Sequence, residues 1–443
     1  MFKTLANAFK VKDIRTKILF TLLMLVIVRV GSLLPIPGIN SGYLASVFNS
    51  EAFSFVDAFT GGSFLTMSVF ALSISPYISA SIIMQLLTIA IPKLEEMQKD
   101  GEDGRKKIAT ITRYVTVALA LIEGVAMAIG YGNQGLIVGY SSMSGFQKVV
   151  SVVVMVAILT AGSALLMWIG ERITEKGVGN GISIILVINI VSRIPQDFIS
   201  LYETFIKGKS ILMATVAVVV IAVITIGTIF LTVLLCGGER RIPVQYSKKI
   251  QGRKTYGGQS THIPLKVNTS GVIPVIFAQS LLSMPAIVVQ FVNPNIDYTT
   301  FWGKVIRVLS SSNWFDKNNM KYTVGVLVYI VLIIFFAYFY TSITFNTTEI
   351  ANNMKKNGGF VPGIRPGKPT AEYMSKILNR IVLIGAIGLT IVALIPIICS
   401  GLFNANVSFG GTSLIIIVGV VLETMRQIES QIVVRDYKGF LND

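Results

Sequence analysis

Apolar residues in this chain gather into long runs almost free of charge, and such runs recur from one end of the sequence to the other. A helix needs about 20 mostly apolar residues to cross the hydrocarbon core of a bilayer, so each run reads as a membrane span. Ten spans are predicted, at about residues 18–34, 73–92, 108–130, 149–170, 181–195, 211–236, 271–292, 322–345, 377–398 and 411–428. The expected fold class is all-α, a polytopic membrane protein with ten transmembrane helices. The first run follows Lys3, Lys10, Lys12, Arg15 and Lys17, as a secretory signal would. It ends in Leu34, Pro35, Ile36 and Pro37 with no small-x-small cleavage site, so it is expected to remain as an uncleaved first span.

Residues 63–92 are longer than one perpendicular span requires. Gly61 and Gly62 open the region and Pro76 interrupts it. Proline inside a helix removes a backbone bond and clashes with the preceding turn, so two pieces are predicted: a short re-entrant helix near 61–68, then a true span. A broken backbone survives in lipid only where protein covers it or a cavity receives it, and this region is therefore expected to point inward. The fifth span opens with Gly177, Val178, Gly179, Asn180 and Gly181. A nucleotide-binding loop needs a preceding strand in a βα unit. Here both flanks are spans, which favours a tight turn allowing close helix approach.

Charge gives the orientation. Only 14% of the 443 residues are charged while 53% are hydrophobic, against about 25% charged in soluble chains. That excludes disordered tails, collagen, disulfide miniproteins and ordinary soluble enzymes. With the N-terminus inside, 29 of the 38 Lys and Arg residues fall on inner segments and eight on outer ones, and Arg29 lies within the first span. By the positive-inside rule both termini face the cytosol. Five spans per half, 1–200 and 201–443, would require the second half to be inverted relative to the first. Cys236 and Cys399 sit at the ends of apolar runs and read as small buried hydrophobes. There is one histidine, His262, and no CxxC pattern, so neither a metal centre nor any other cofactor is expected.

Two inner segments stand out. Residues 237–270 carry Arg240, Arg241, Lys248, Lys249, Arg253 and Lys254 with Glu239 as the only acid, and residues 346–370 carry Lys355, Lys356, Arg365 and Lys368 amid Gly/Pro turns. The positive-inside rule accounts for part of this density and anionic lipid headgroups for more. The remainder suits a docking surface for rRNA phosphates or for an acidic protein.

The spans themselves carry few charges, most of them toward the ends, and Arg29 and Glu123 are the two that stand out. An intramembrane carboxylate is a functional candidate by default. Without an acid pair, metal-spaced histidines or a Ser–Lys dyad, however, ion-coupled transport and catalysis both lose ground. Aliphatic faces are present instead: Ile74, Ile78 and Ile82 at i, i+4 and i+8 with Gln85 nearby, and Ile182 with Leu186. Each could simply face lipid or pack. If several converged, they would form a narrow ring that holds no ion and dewets when closed. A solute transporter and a non-conducting scaffold remain the alternative readings.

Six motifs in order resemble the SecY family of bacterial preprotein translocase subunits: ALSISPYISASIIMQLL (71–87), WIGERITEKGVGNGISI (168–184), ERRIPVQYSKK with the following GR (239–253), STHIPLKVN with SGVIPVIFA (260–278), NGGFVPGIRPGKPT (357–370) and GGTSL (410–414). The likeness runs from about Leu33 to the C-terminal tail. It implies two inverted five-helix halves around a central pore, in the bacterial plasma membrane. It implies a pore ring of Ile74, Ile78, Ile182, Leu186, Ile276 and Ile416. A plug helix is implied around Gly61, Gly62, Ser63, Phe64, Leu65, Thr66, Met67 and Ser68, and a lateral gate touching Ile82, Gln85 and Met284. Arg365, aided by the 240–254 loop, would engage the SecA ATPase and the ribosome. SecE and SecG would be small membrane partners, and signal sequences of unfolded preproteins the cargo. Two departures are modest: His262 where an aromatic is expected, and Leu186 where isoleucine is usual.

Overall fold

A helix occupies each of the ten apolar stretches in the computed structural model, which describes residues 8–43, 57, 59–246, 249–251, 254–256, 260–292, 300–310, 314–315, 320–403 and 411–439. The spans are α1 (Lys12–Leu33), α2 (Ser75–Ala90), α4 (Glu102–Tyr131), α5 (Gly145–Lys176), α6 (Gly181–Phe205), α7 (Ile211–Gly237), α8 (Ile273–Val292), α10 (Val324–Thr344), α12 (Lys368–Phe403) and α13 (Gly411–Gly439). Shorter helices α3 (Pro92–Lys99), α9 (Phe301–Leu309) and α11 (Thr347–Lys356) lie between them. Among the described residues, seven helical stretches are long and apolar enough to cross a membrane alone, and α2 with α3 makes an eighth across a 102° bend. The apolar part of α13 is short because Glu423, Arg426 and Glu429 enter its second half.

Local chemistry sets the helix ends. Pro76 falls in the first turn of α2, where its missing N–H is no loss, so the proline that breaks the apolar run also starts the span. Ser144 and Gln147 close a reciprocal capping box on α5. Asn180 accepts from the Ser183 N–H at the head of α6. The glycine-rich joint between α5 and α6 is a packing device, as expected. A side chain at Gly181 would collide with the Gly170 carbonyl, and the Val178 N–H donates to Thr21 Oγ1 of α1 at 3.1 Å.

Helix neighbours follow a repeated plan. In the first five spans α1 lies against α5 and α6, α2 against α4 and α5, α4 against α5, and α5 against α6. In the last five α7 lies against α12 and α13, α8 against α10 and α12, α10 against α12, and α12 against α13. The two sets meet where α6 touches α13 and α7, and where α4 touches α8.

The helical frame also carries a small sheet that the hydrophobic pattern does not announce. Strands β1 (Glu239–Tyr246), β4 (Ser260–Lys266) and β5 (Gly359–Phe360) form an antiparallel sheet in the order β4–β1–β5. A separate ribbon pairs β2 (Lys249–Gln251) with β3 (Lys254–Tyr256). Register runs from Glu239↔Lys266 to Gln245↔Ser260, and β5 reaches only Gln245 and Tyr246. Pro243 and Pro264 bring no N–H to a ladder, and both stand where a neighbouring strand is missing on one side. Ile242, Val244 and Leu265 bury against Met354, Val361, Met374 and Ile381. The sheet thus fuses the two basic loops and seats them on α11 and the head of α12.

Basic segments share one face of the molecule. Ala8 and Ile14 pack with Val178, Met425 and Ile428. Lys17 Nζ donates to Gln431 Oε1 at 3.4 Å, and Arg113 pairs with Glu171 at 2.8 Å.

Replacing Gly181 by alanine is expected to destabilise the fold by roughly 1–3 kcal/mol, the usual cost of overpacking, because the new methyl meets backbone that cannot rotate away. The melting midpoint of the purified protein in detergent should fall; an unchanged midpoint would contradict the close α5–α6 approach.

Candidate functional site

The six aliphatic residues singled out from the sequence all lie in one hydrophobic cluster. Ile74 and Ile78 come from the start of α2, Ile182 and Leu186 from α6, Ile276 from α8 and Ile416 from α13. Four helices, two from each half of the chain, therefore contribute. Ile74 and Ile416 are 1% exposed and Leu186 is 7% exposed, while Ile78, Ile182 and Ile276 are half-buried. Branched aliphatic side chains offer no hydrogen-bond partner to water or an ion. A junction of this kind seals by exclusion.

Segment 61–68 runs beside that cluster, but as a succession of turns and not as the short helix expected from the sequence. Gly61 and Gly62 enter it with φ of +66° and +87°, in the left-handed region that ends helices. Its exit is drawn outward: Ile36 N–H donates to the Met67 carbonyl at 3.0 Å and Val69 N–H to the Leu34 carbonyl at 2.9 Å. Backbone groups spent on the chain after α1 are lost to a helical ladder. Phe64 and Met67 pack toward α4 and α5 with Met127, Tyr131 and Leu159. The side chains that touch the aliphatic cluster are Phe59, Val69 and Phe70, which flank the predicted stretch.

Polar contacts tie this segment down. Asp57 is fully buried and pairs with Arg193 of α6; its Oδ1 also accepts from the Leu65 N–H at 3.3 Å. Asn189, 2% exposed, donates through Nδ2 to the Phe59 carbonyl at 3.1 Å and to Ser73 Oγ at 3.2 Å. Arg29 of α1 donates to the Gly61 carbonyl at 3.4 Å. The sequence reading noted Arg29 but missed Asp57, Asn189 and Arg193. A signal was available: Asn189 and Arg193 continue the face of Ile182 and Leu186 at i+7 and i+11.

The remaining candidates are distributed as follows. Ile82 and Gln85 are half-buried on α2, and the Gln85 amide oxygen is buried with no hydrogen-bond partner among the described residues. Met284 lies on α8, but its side chain is outside the described residues. Glu123 is half-buried on α4, and His262 is exposed on β4. On the sheet, Arg240 and Arg241 are exposed. Arg241 Nε donates to Glu239 at 2.7 Å, and that bond holds the exposed carboxyl below its usual range. Lys249 and Lys254 belong to the β2–β3 ribbon, with their side chains outside the described residues, as are Lys248 and Arg253 altogether. Arg365 is exposed in the turn between β5 and α12, where its carbonyl accepts from Thr370 Oγ1 at 2.8 Å. A surface groove of about 650 Å³ between α10 and α12, lined by Phe335, Tyr338, Phe339 and Asn379, shares no residue with the aliphatic cluster.

Comparison with known proteins agrees with this architecture. The SecY family profile matches residues 68–425. The chain is 44% identical over 456 residues to the protein translocase subunit SecY of Streptomyces coelicolor and 42% identical over 455 residues to that of Mycobacterium tuberculosis. It is 43% identical over 449 residues to that of Halalkalibacterium halodurans, and in all three cases 100% of both chains is covered. Its fold is similar to the solved structure of a protein conducting channel, with a TM-score of 0.62 at 16% identity over 94% of this chain and 92% of that one. It is also similar to Sec61 in the canine ribosome–channel complex, with a TM-score of 0.58 at 17% identity and the same coverage. With the profile spanning most of the sequence and bacterial relatives aligned from end to end, the chain belongs to the SecY family.

Proposed function

We propose that the chain is a passive, gated channel that conducts unfolded preproteins across the bacterial plasma membrane. The observation that carries this reading is the meeting of six aliphatic side chains from four helices under a non-helical segment. In this reading the six residues are the constriction, and residues 61–68, with Phe59, Val69 and Phe70 at their flanks, form the plug that lies on it. A translocating chain slides past a surface with no group to bind it, and in the resting state the same surface excludes ions. Apolar signal sequences and spans leave sideways into lipid, where about 20 apolar residues partition favourably. The exit lies between α2–α4 and α8–α10, beside Ile82, Gln85 and Met284. The Gln85 amide oxygen, buried with no hydrogen-bond partner among the described residues, supports a gate there, since such a group weakens the seam it occupies.

The termini and the fused basic loops face the cytosol, supported by the packing of the basic segments on one face. The repeated neighbour plan supports two inverted halves; the boundary of 1–200 and 201–443 expected from the sequence falls inside α6, and the joint is better placed in the turn 206–210 that follows it. Energy comes from outside the chain. SecA and the ribosome dock on the sheet and on Arg365, and SecE and SecG complete the membrane complex; a ribosome-bound Sec61 of similar fold supports the ribosome as partner.

A preprotein stalled in transit, carrying one cysteine, should form disulfides with Ile78→Cys and with Ile276→Cys in a background lacking Cys236 and Cys399. Failure at both positions, with crosslinks to lipid-facing controls instead, would remove the constriction. Ile416→Asn places an amide in an apolar cluster at a cost of roughly 1–3 kcal/mol. It should therefore raise ion leak through reconstituted vesicles and admit defective signal sequences; a variant as strict and as tight as the parent would contradict the reading. Arg365→Glu should leave insertion intact and lower SecA-dependent translocation about tenfold or more, as expected for reversing a charge at a contact. Undiminished docking would locate the motor site elsewhere.

A further inference from the structure

One face of α6 carries two chemistries. Ile182 and Leu186 are followed at helical spacing by Asn189 and Arg193. The apolar pair belongs to the aliphatic cluster, and the polar pair holds the non-helical segment next to it. The grip is specific in its geometry. One Asn189 amide nitrogen reaches the Phe59 carbonyl at one end of the segment and the Ser73 hydroxyl at the other. The loop between them is thereby closed at its neck. Arg193 holds Asp57, the fully buried acid that precedes the neck, and Asp57 in turn accepts from Leu65 inside the loop. A buried carboxylate without its partner is strongly disfavoured, so the segment leaves only if this pair separates. Gly61 sits so close to the Asn189 backbone that an added Cβ would lie 3.0 Å from it, which leaves no slack for independent motion.

We propose that α6 couples the two closures of the channel: the helix face that narrows the constriction also latches the plug, so that widening the one releases the other. An incoming chain that pushes Ile182 and Leu186 aside draws Asn189 and Arg193 off the segment in the same movement. Asn189, Arg193 and Asp57 then act as positioning residues that set how strong a signal must be to open the channel. This inference rests on the channel reading above.

The experiment measures ion leak and acceptance of defective signal sequences in vesicles containing the assembled translocase, with Ile416→Asn as reference and Arg193→Lys as the conservative variant. Asn189→Leu and Arg193→Gln should each raise leak on the order of tenfold, and Arg193→Lys should stay near the parent. The double variant Asp57→Asn with Arg193→Gln should leak no more than Arg193→Gln alone, as for two members of one pair. Should Asn189→Leu fail to accumulate, Ser73→Ala removes one latch bond at little steric cost and should raise leak about threefold. If Ile416→Asn leaks while the α6 variants only melt earlier and stay tight, the latch is wrong and the channel reading stands. If none of them leaks, the channel reading falls and takes the latch with it.

Discussion

Hydrocarbon supplies no hydrogen-bond partner, so non-helical backbone at membrane depth must find its partners in protein. Most of this chain meets that demand by being helical. Segment 61–74 does not, and the helices around it are shaped to receive it. Gly31 of α1 leaves room for the Phe70 ring and Gly162 of α5 for the Val69 carbonyl, while Arg29 and Asn189 reach the backbone carbonyls of Gly61 and Phe59. The satisfaction is incomplete. Ser63 and Ser68 keep buried hydroxyls with no hydrogen-bond partner among the described residues, each of which costs stability.

The frame of the fold was legible because lipid makes demands that sequence displays openly. Ten charge-poor runs gave ten helices, and the excess of basic residues on alternate connections gave a face on which those segments meet. Ile74, Ile78, Ile182 and Leu186 could be paired by helical spacing, but spacing within one helix cannot say that Ile276 and Ile416 come to the same place. Only the resemblance to a known family supplied that.

What escaped the reading has physical reasons. Gly61 and Gly62 announced a break, and a short helix was inferred after it; the pairing of residues 67–69 with the chain near Leu34 and Ile36 is long-range and leaves no local mark. The sheet is hidden by Pro243 and Pro264, because a proline within a run argues against a strand. Asp57 and Arg193 lie 136 positions apart, and neither carries a local mark of the other. A buried ion pair becomes visible only when both partners are placed, and charge counting treats each one alone.

The sheet also bears on how an external machine could open the molecule. Its strands come from the connections α7–α8 and α10–α12, so every one belongs to the second half of the chain. Its underside packs on α11 and the head of α12, and the Val267 carbonyl just beyond β4 presses on Gly385 of α12. A partner seated on this platform would therefore grip α8 and α12 through short rigid links. The first half is held mainly across the α6–α13, α6–α7 and α4–α8 contacts, the aliphatic cluster and the packing of the N-terminal segment on the end of α13. Force applied at Arg365 would then act as a shear between halves and not as a local distortion of the constriction. Ile276 and Ile416 belong to the gripped half, whereas Ile74, Ile78, Ile182 and Leu186 belong to the other. A displacement between halves would separate these two sets directly, which is the movement needed to widen the aliphatic cluster without breaking any helix.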